Sequence, residues 1–381
     1  GLDCLQGTIR VNIIVDSFLP IVTRYCDACT KIKMATQPGP VLYEDDHYII
    51  RPSKSTDEFR DVWWGFMQVL GWNRGYYDLD TYMNPSNGYG MILLIEKATG
   101  NAVGHVAAVI NDNATGWVSM FIIDEKHRGK GLGRELFKAA ETDFEVNGTK
   151  VKGLDGVVEQ KSTYERRHFV SSPLGTIQIM IRPLVIKDPI PQVSPAPGTQ
   201  IVDIRAVPRH LLAQHELKYT GFDRPKLWSD EHMFNRKDVE GVAIVTRSTL
   251  EHVDDLKAWA VNRRCSGGVR IGPVYADDFE SAKAVLGAAM NLGTPKYISN
   301  VPLPKEAMND WSEDRIAGEA TLVTEIWGGN EDAIRLFDDF GWKRAGVDYY
   351  RMWVDSNAPR EQSQGGSSQK GVYAIFDAAM G

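Results

Sequence analysis

The chain has 381 residues, is 43% hydrophobic and 24% charged, and carries a formal net charge of -7. That length accommodates two domains of ordinary size, and the composition is that of a globular chain. The acidic balance, with a pI near 5.7, argues against general nucleic-acid binding and mildly favours a cationic or neutral small partner.

Val11 to Val22 is apolar but interrupted by Asp16 and Pro20, which makes a poor signal peptide. No stretch approaches the roughly 18 continuous apolar residues of a membrane span. Met34 reads as a native start, so residues 1–33 are expected to be peculiar to this sequence, within an N-terminal extension expected over 1–40. Of the four cysteines, Cys26 and Cys29 form one C-x-x-C, and no second pair completes a zinc site. Free thiols in a reducing, cytoplasmic setting and no metal are expected.

In chain order, Tyr48 to Arg51 predicts a strand and Asp57 to Trp72 a helix, and Tyr89–Glu96 and Ala102–Asn111 predict two strands joined near Gly100. A strand at 117–123 precedes a glycine-rich turn and an amphipathic helix on which Leu132, Leu136, Ala140 and Phe144 recur every fourth residue. A further strand is expected near Gly156–Glu159. Residues 182–200 concentrate five prolines, which excludes a helix or a central strand and marks a boundary. Beyond it, strands at 241–248, 257–264 and 269–276 and a helix at 278–292 repeat the earlier order, so a diverged tandem duplication is expected. Ser, Gln and Gly between 357 and 371 predict a flexible tail.

The turn Lys126-HRGKGLGREL-Phe137 carries the chemistry. A Walker loop and the dinucleotide G-x-G-x-x-G both require glycine where Arg134 stands. What remains is R-x-x-G-x-G from Arg128 to Gly133. The first turn of a helix has unpaired N–H groups and partial positive charge, so anions settle there. Gly129, Gly131 and Gly133 let a pyrophosphate approach the backbone, and Lys126, Arg128, Lys130 and Arg134 supply charge.

These residues resemble the GNAT superfamily of acyl-CoA-dependent N-acyltransferases. The likeness continues through Gly153-LDGVVEQKSTYERRHF. GWN at Gly71–Asn73, GLDGV at 153–157, FDRP at 222–225 and IGPVYADD at 271–278 resemble a tandem subgroup over roughly 47–355. The resemblance implies an α+β fold of two tandem GNAT-like domains, each a mixed sheet flanked by helices. The expected boundaries are 41–185, a linker at 186–200, a degenerate second domain at 201–356 and a tail at 357–381. It also implies acetyl-CoA as co-substrate, held by Phe121, Ile122, Ile123, Arg128, Gly129, Lys130, Gly131, Leu132, Gly133 and Arg134.

By the same resemblance Tyr164 is the acid for the departing thiolate. The base stays open among Asp155, Glu159, Asp124 and Glu125, with Asp155 first. Trp72, Asn73, Asp223 and Arg224 are candidates for reading the acceptor, and residues 303–326 look like an insertion. The implied activity is acetyl transfer to a primary amine of a small molecule, without nucleic-acid or membrane partners. A longer-chain acyltransferase and a non-catalytic CoA-binding module are the alternatives. In the second half the corresponding turn, Gly272-PVYADD, has no glycine triplet and no cation, and Phe337 stands where Tyr164 does, so one cofactor site is expected.

Overall fold

The computed structural model describes residues 39–83, 86–184, 189–308 and 312–381; the expected extension, apart from its last two residues, and the Cys26/Cys29 pair lie outside them. The first half runs β1 (Tyr43–Glu44), β2 (Tyr48–Pro52), α1 (Thr56–Val69), α2 (Asp78–Met83), β3 (Met91–Glu96), β4 (Ala102–Ile110), β5 (Thr115–Ile123), α3 (Leu132–Val146), β6 (Val151–Gly156), α4 (Lys161–Glu165) and β7 (Phe169–Pro183). The second half begins with β8 (Gln200–Asp203), α5 (Arg209–Thr220), β9 (Val239–Val245), β10 (Leu256–Cys265), β11 (Gly268–Ala276) and α6 (Phe279–Leu292). It continues with α7 (Pro295–Asn300), α8 (Lys305–Met308), α9 (Glu313–Glu319), β12 (Thr321–Trp327), α10 (Glu331–Asp339), β13 (Lys343–Val354), α11 (Ser368–Gly371) and β14 (Val372–Ala374).

Side chains alternate across the strands as period-2 patterning requires. On β3, Met91, Leu93 and Ile95 join one core while Ile92 and Leu94 join another. On β10, Trp259 and Val261 face the first of these and Ala258 and Ala260 a third. One core therefore runs along a whole face of the sheet through both halves. The opposite face carries two separate cores, under α3 in the first half and under α6 and α10 in the second.

α1 shows the local logic. Ser55 accepts from the Glu58 N–H and satisfies one of the free donors of the first turn. Phe59, Trp63, Trp64 and Met67 then fall on one buried stripe, each fully buried large side chain contributing about 2 kcal/mol.

The sheet order is β1-β2-β3-β4-β5-β6-β13-β7-β12-β14-β11-β10-β9-β8. Each half thus gives its late strand to the other. β13 pairs antiparallel with β6, β7 pairs antiparallel with β12, and the two exchanged strands pair with each other. Residues 38–381 consequently cluster as one compact unit.

Three expectations are corrected. The strand near Gly156–Glu159 ends at Gly156, and Val158–Gln160 form a helical turn. Thr321 onward is β12, a central strand, so the 303–326 segment is not wholly an insertion. The tail is not a loose appendage: Val372–Gly381 is buried, and β14 joins the sheet. Among the described residues, no helix is long and apolar enough to cross a membrane.

Candidate active site

β5 and β6 run parallel only where Thr115–Trp117 face Val151–Gly153. Past that point β6 pairs with β13, and β5 pairs with β4 alone, so a wedge opens between the two strands. A bulge shapes the β5 side: His105 is opposite Ile122 and Ala107 opposite Ser119, which leaves one extra residue on β5. Met120, in that bulge, has φ +51, and its carbonyl accepts from His105 Nδ1 at 2.8 Å. Burial drives the His105 pKa down to about 4, so the ring is neutral and Nδ1 carries the proton for that bond. The wedge opens into a cavity of about 850 Å³, a size suited to a small-molecule site.

Phe121, Ile122, Ile123, Arg128, Gly129, Gly131, Gly133 and Arg134 line this cavity. Gly131 caps α3 in the left-handed region at φ +79, and no side chain caps the helix. A Cβ built on Gly129 or Gly131 would meet nothing within 4 Å, so space for an anion lies directly over the backbone. Arg128 is braced by Nε donating to the Ile123 carbonyl at 2.9 Å, and Lys138, Arg166 and Arg167 extend the cationic lining. The residues present therefore fit a pyrophosphate. Two of the expected ligands do not line the cavity. Lys130 donates to the Tyr48 hydroxyl at 3.0 Å, and Leu132 is buried in the core under α3.

Tyr164, on α4, lines the cavity and packs against Phe137 and Phe169. A Cβ on Gly156 would come within 2.7 Å of its ring, so glycine is what lets the ring lie against β6. Its hydroxyl has no hydrogen-bond partner among the described residues. Burial raises its pKa to about 12, with Arg167 opposing, so the phenol is protonated at neutral pH and able to donate.

Asp155 also lines the cavity, but both carboxylate oxygens are taken by Arg351, at 3.0 and 2.7 Å. Arg351 in turn donates to Gln362 and lies over the Trp117 and Trp327 rings. Asp155 is thus an anchor for β13 rather than a free base. Asp124 is occupied capping the following turn, and Glu159 is exposed and outside the lining.

The acceptor candidates divide. Trp72 lines the cavity. Asn73 instead turns to the second half, accepting from Gly267 N–H through its side chain and from Arg270 through its carbonyl. Arg224 is buried in a bidentate pair with Glu216 and reaches the Met380 carbonyl, all within the second half. Asp223 sits outside the lining, its backbone bonded to Asn113 and Asp112 of the first half. FDRP is therefore a structural seam. Sequence reading missed Ser119, whose buried hydroxyl has no partner among the described residues, and Arg74, Tyr349, Ala378 and Ala379, all in the lining. Arg74 adjoins the GWN motif and Ser119 lies on the expected 117–123 strand, so both were within reach of that reading, whereas Tyr349 depends on the strand exchange and Ala378 and Ala379 on the tail.

Residues 56–169 match the model of the acetyltransferase (GNAT) family. A search of curated protein sequences found no match. Among solved structures, a putative acetyltransferase from Pyrococcus horikoshii is 17% identical, with a TM-score of 0.63 over 89% of this chain and 98% of that one. A GCN5-related N-acetyltransferase from Sphaerobacter thermophilus is 14% identical, with a TM-score of 0.52 over 82% of this chain and 96% of that one. A tandem GNAT protein from the clavulanic acid biosynthesis pathway is 13% identical, with a TM-score of 0.53 over 80% and 97%. The wedge, its glycine-opened helix and these likenesses converge: residues 56–169 form a domain that matches the acetyltransferase (GNAT) family, within a chain that shares the fold of tandem GNAT proteins.

Proposed function

We propose that the protein transfers acetyl from acetyl-CoA to a primary amine of a small molecule by direct attack. One observation carries this reading. The uncapped α3 N-terminus and the unpartnered Tyr164 hydroxyl line the same cavity. The pyrophosphate would rest on Gly129–Gly133 with Arg128 and Arg134, and the thioester would lie along the free edge of β5, where backbone N–H groups of 121–123 steady the oxyanion. The amine nitrogen bonds to the thioester carbon, the C–S bond breaks, and the thiolate takes the Tyr164 proton. The proton shed by nitrogen leaves through solvent, since Asp155 is held by Arg351. The second half contributes Tyr349, Ala378 and Ala379 to the wall.

The test is calorimetric titration of acetyl-CoA into the protein, repeated with Arg128→Glu and Gly131→Asp together. Binding that falls at least 100-fold in the double variant is expected, because a carboxylate then sits where the phosphate should. Tyr164→Phe should bind acetyl-CoA as the wild type does and lose about 100-fold in kcat. Wild-type protein that binds no acetyl-CoA, or Tyr164→Phe with full turnover, overturns the mechanism.

A further inference from the structure

Behind the cavity wall lies a buried charge cluster that the transfer reaction does not use. Arg74, Arg236, Arg263 and Arg270 meet the carboxylates of Asp78, Asp238, Glu325 and Asp377. Four guanidinium groups face four carboxylates, and Arg264, next to Arg263 in the chain, has the carbonyls of Cys265, Ser266 and Gly268 for partners among the described residues. The paired charges of the cluster balance, in a region shielded from water where each is held firmly in place.

Arg74 is the member of the cluster that reaches the cavity. It is 5% exposed, donates from Nη1 to Asp377 and places Nη2 at 3.2 Å from Glu325; its Nε has no partner among the described residues. The loop that carries it is fixed by the β10–β11 turn, where Ser266 N–H donates to the Arg74 carbonyl at 3.1 Å. Tyr349, 8% exposed, lines the same cavity with a hydroxyl that also lacks a partner among the described residues. Arg74 and Tyr349 act on each other electrostatically, which puts them in one neighbourhood. Trp72 and the small side chains of Ala378 and Ala379 complete this part of the wall.

A guanidinium edge and a phenol, both with spare donors and beside an aromatic face, match a carboxylate. Resting on the transfer reaction above, we propose that Arg74 and Tyr349 form a carboxylate-reading subsite, so that the acceptor is an amine bearing a carboxylate. The protein's overall acidic balance pointed to a cationic or neutral acceptor; the local donors of Arg74 and Tyr349 outweigh it here.

The test offers acetyl-CoA with the free α-amino acids, β-alanine and 4-aminobutyrate, each against its amide, and follows thiol release. At least one acid should exceed its amide by tenfold to about a hundredfold in kcat/KM, the range of a charge-assisted hydrogen bond. That ratio should fall towards one in Tyr349→Phe, which removes a single oxygen, and in Arg74→Lys, both checked by melting temperature. Amides or plain alkylamines used as well as the acids, or a ratio that Tyr349→Phe leaves unchanged, overturn the subsite and leave the transfer reaction standing. If nothing is acetylated, calorimetry of the same acids with CoA-loaded protein decides. Acid binding weakened by Tyr349→Phe supports the subsite and removes the reaction, and no acid binding removes the subsite.

Discussion

The two halves contain the same wedge, and only one of them is open. β11 and β12 run parallel over Gly268–Arg270 and Thr321–Val323 and then part, as β5 and β6 do. β11 even repeats the bulge: Asn262 is opposite Ile271 and Ala260 opposite Val274, which puts Gly272 and Pro273 where the first half has Met120 and Phe121. Three local changes close the second wedge. Pro273 has no N–H to offer an oxyanion. The segment before the helix shrinks from eight residues, Asp124–Gly131, to Asp277 and Asp278, and Asp278 accepts from Ser281 N–H where Gly131 leaves the helix start bare. Finally β14 occupies the gap, pairing with both β11 and β12. A duplicated backbone keeps its geometry while its chemistry is removed by a filler strand, a cap and a proline.

Removing residues 372–381 is the severest way to break that contrast. It empties the second wedge and takes Asp377 away from Arg74 and Arg263, leaving each buried guanidinium with one counter-charge fewer, Glu325 for Arg74 and Asp78 for Arg263. Breaking one buried pair costs about 3–5 kcal/mol before any loss of the apolar contacts of Val372, Ile375 and Phe376. The expected outcome is a protein without a cooperative thermal transition; a truncated chain that melts like the full one would show the tail to be dispensable.

The first wedge has a device the second lacks, since His105 occupies the position taken by Ala260. The folded pKa of His105, about 4, lies below its ordinary 6.5, so the unfolded chain binds the extra proton. Its contribution is complete above pH 6.5 and is lost as pH falls through about 4, amounting to about 3 kcal/mol. Denaturant unfolding from pH 7 to pH 4 should show that loss in the wild type and a shallower slope in His105→Asn. Equal slopes in the two proteins would remove His105 as the lock on the Met120 bulge.

What could be read from the sequence was what is local. The β3–β5 strands, α3 and the R-x-x-G-x-G turn follow from residue spacing, and Asp278 was legible as a cap. Partner choice was not. A period-2 pattern says that Lys343–Val354 can be a strand, but nothing in it says that the strand lies between β6 and β7. The tail misled because its Ser, Gln and Gly residues precede a buried apolar end, Val372–Met380. Asp155 misled because a carboxylate beside a cleft looks like a base until Arg351 arrives from the exchanged strand.

The mildest change tests which of the three closures matters. Asp278→Ala strips the cap from α6 and should cost about 1 kcal/mol, read as a small fall in the denaturation midpoint. It leaves Asp277, which burial pushes up but which hydrogen bonds from His215, Lys218 and Tyr219 hold well below the usual carboxylate range. β14 still fills the wedge. No second equivalent of acetyl-CoA should bind in calorimetry. A stoichiometry of two in that variant would mean that the cap alone had kept the second site shut, and that the filler strand yields to ligand.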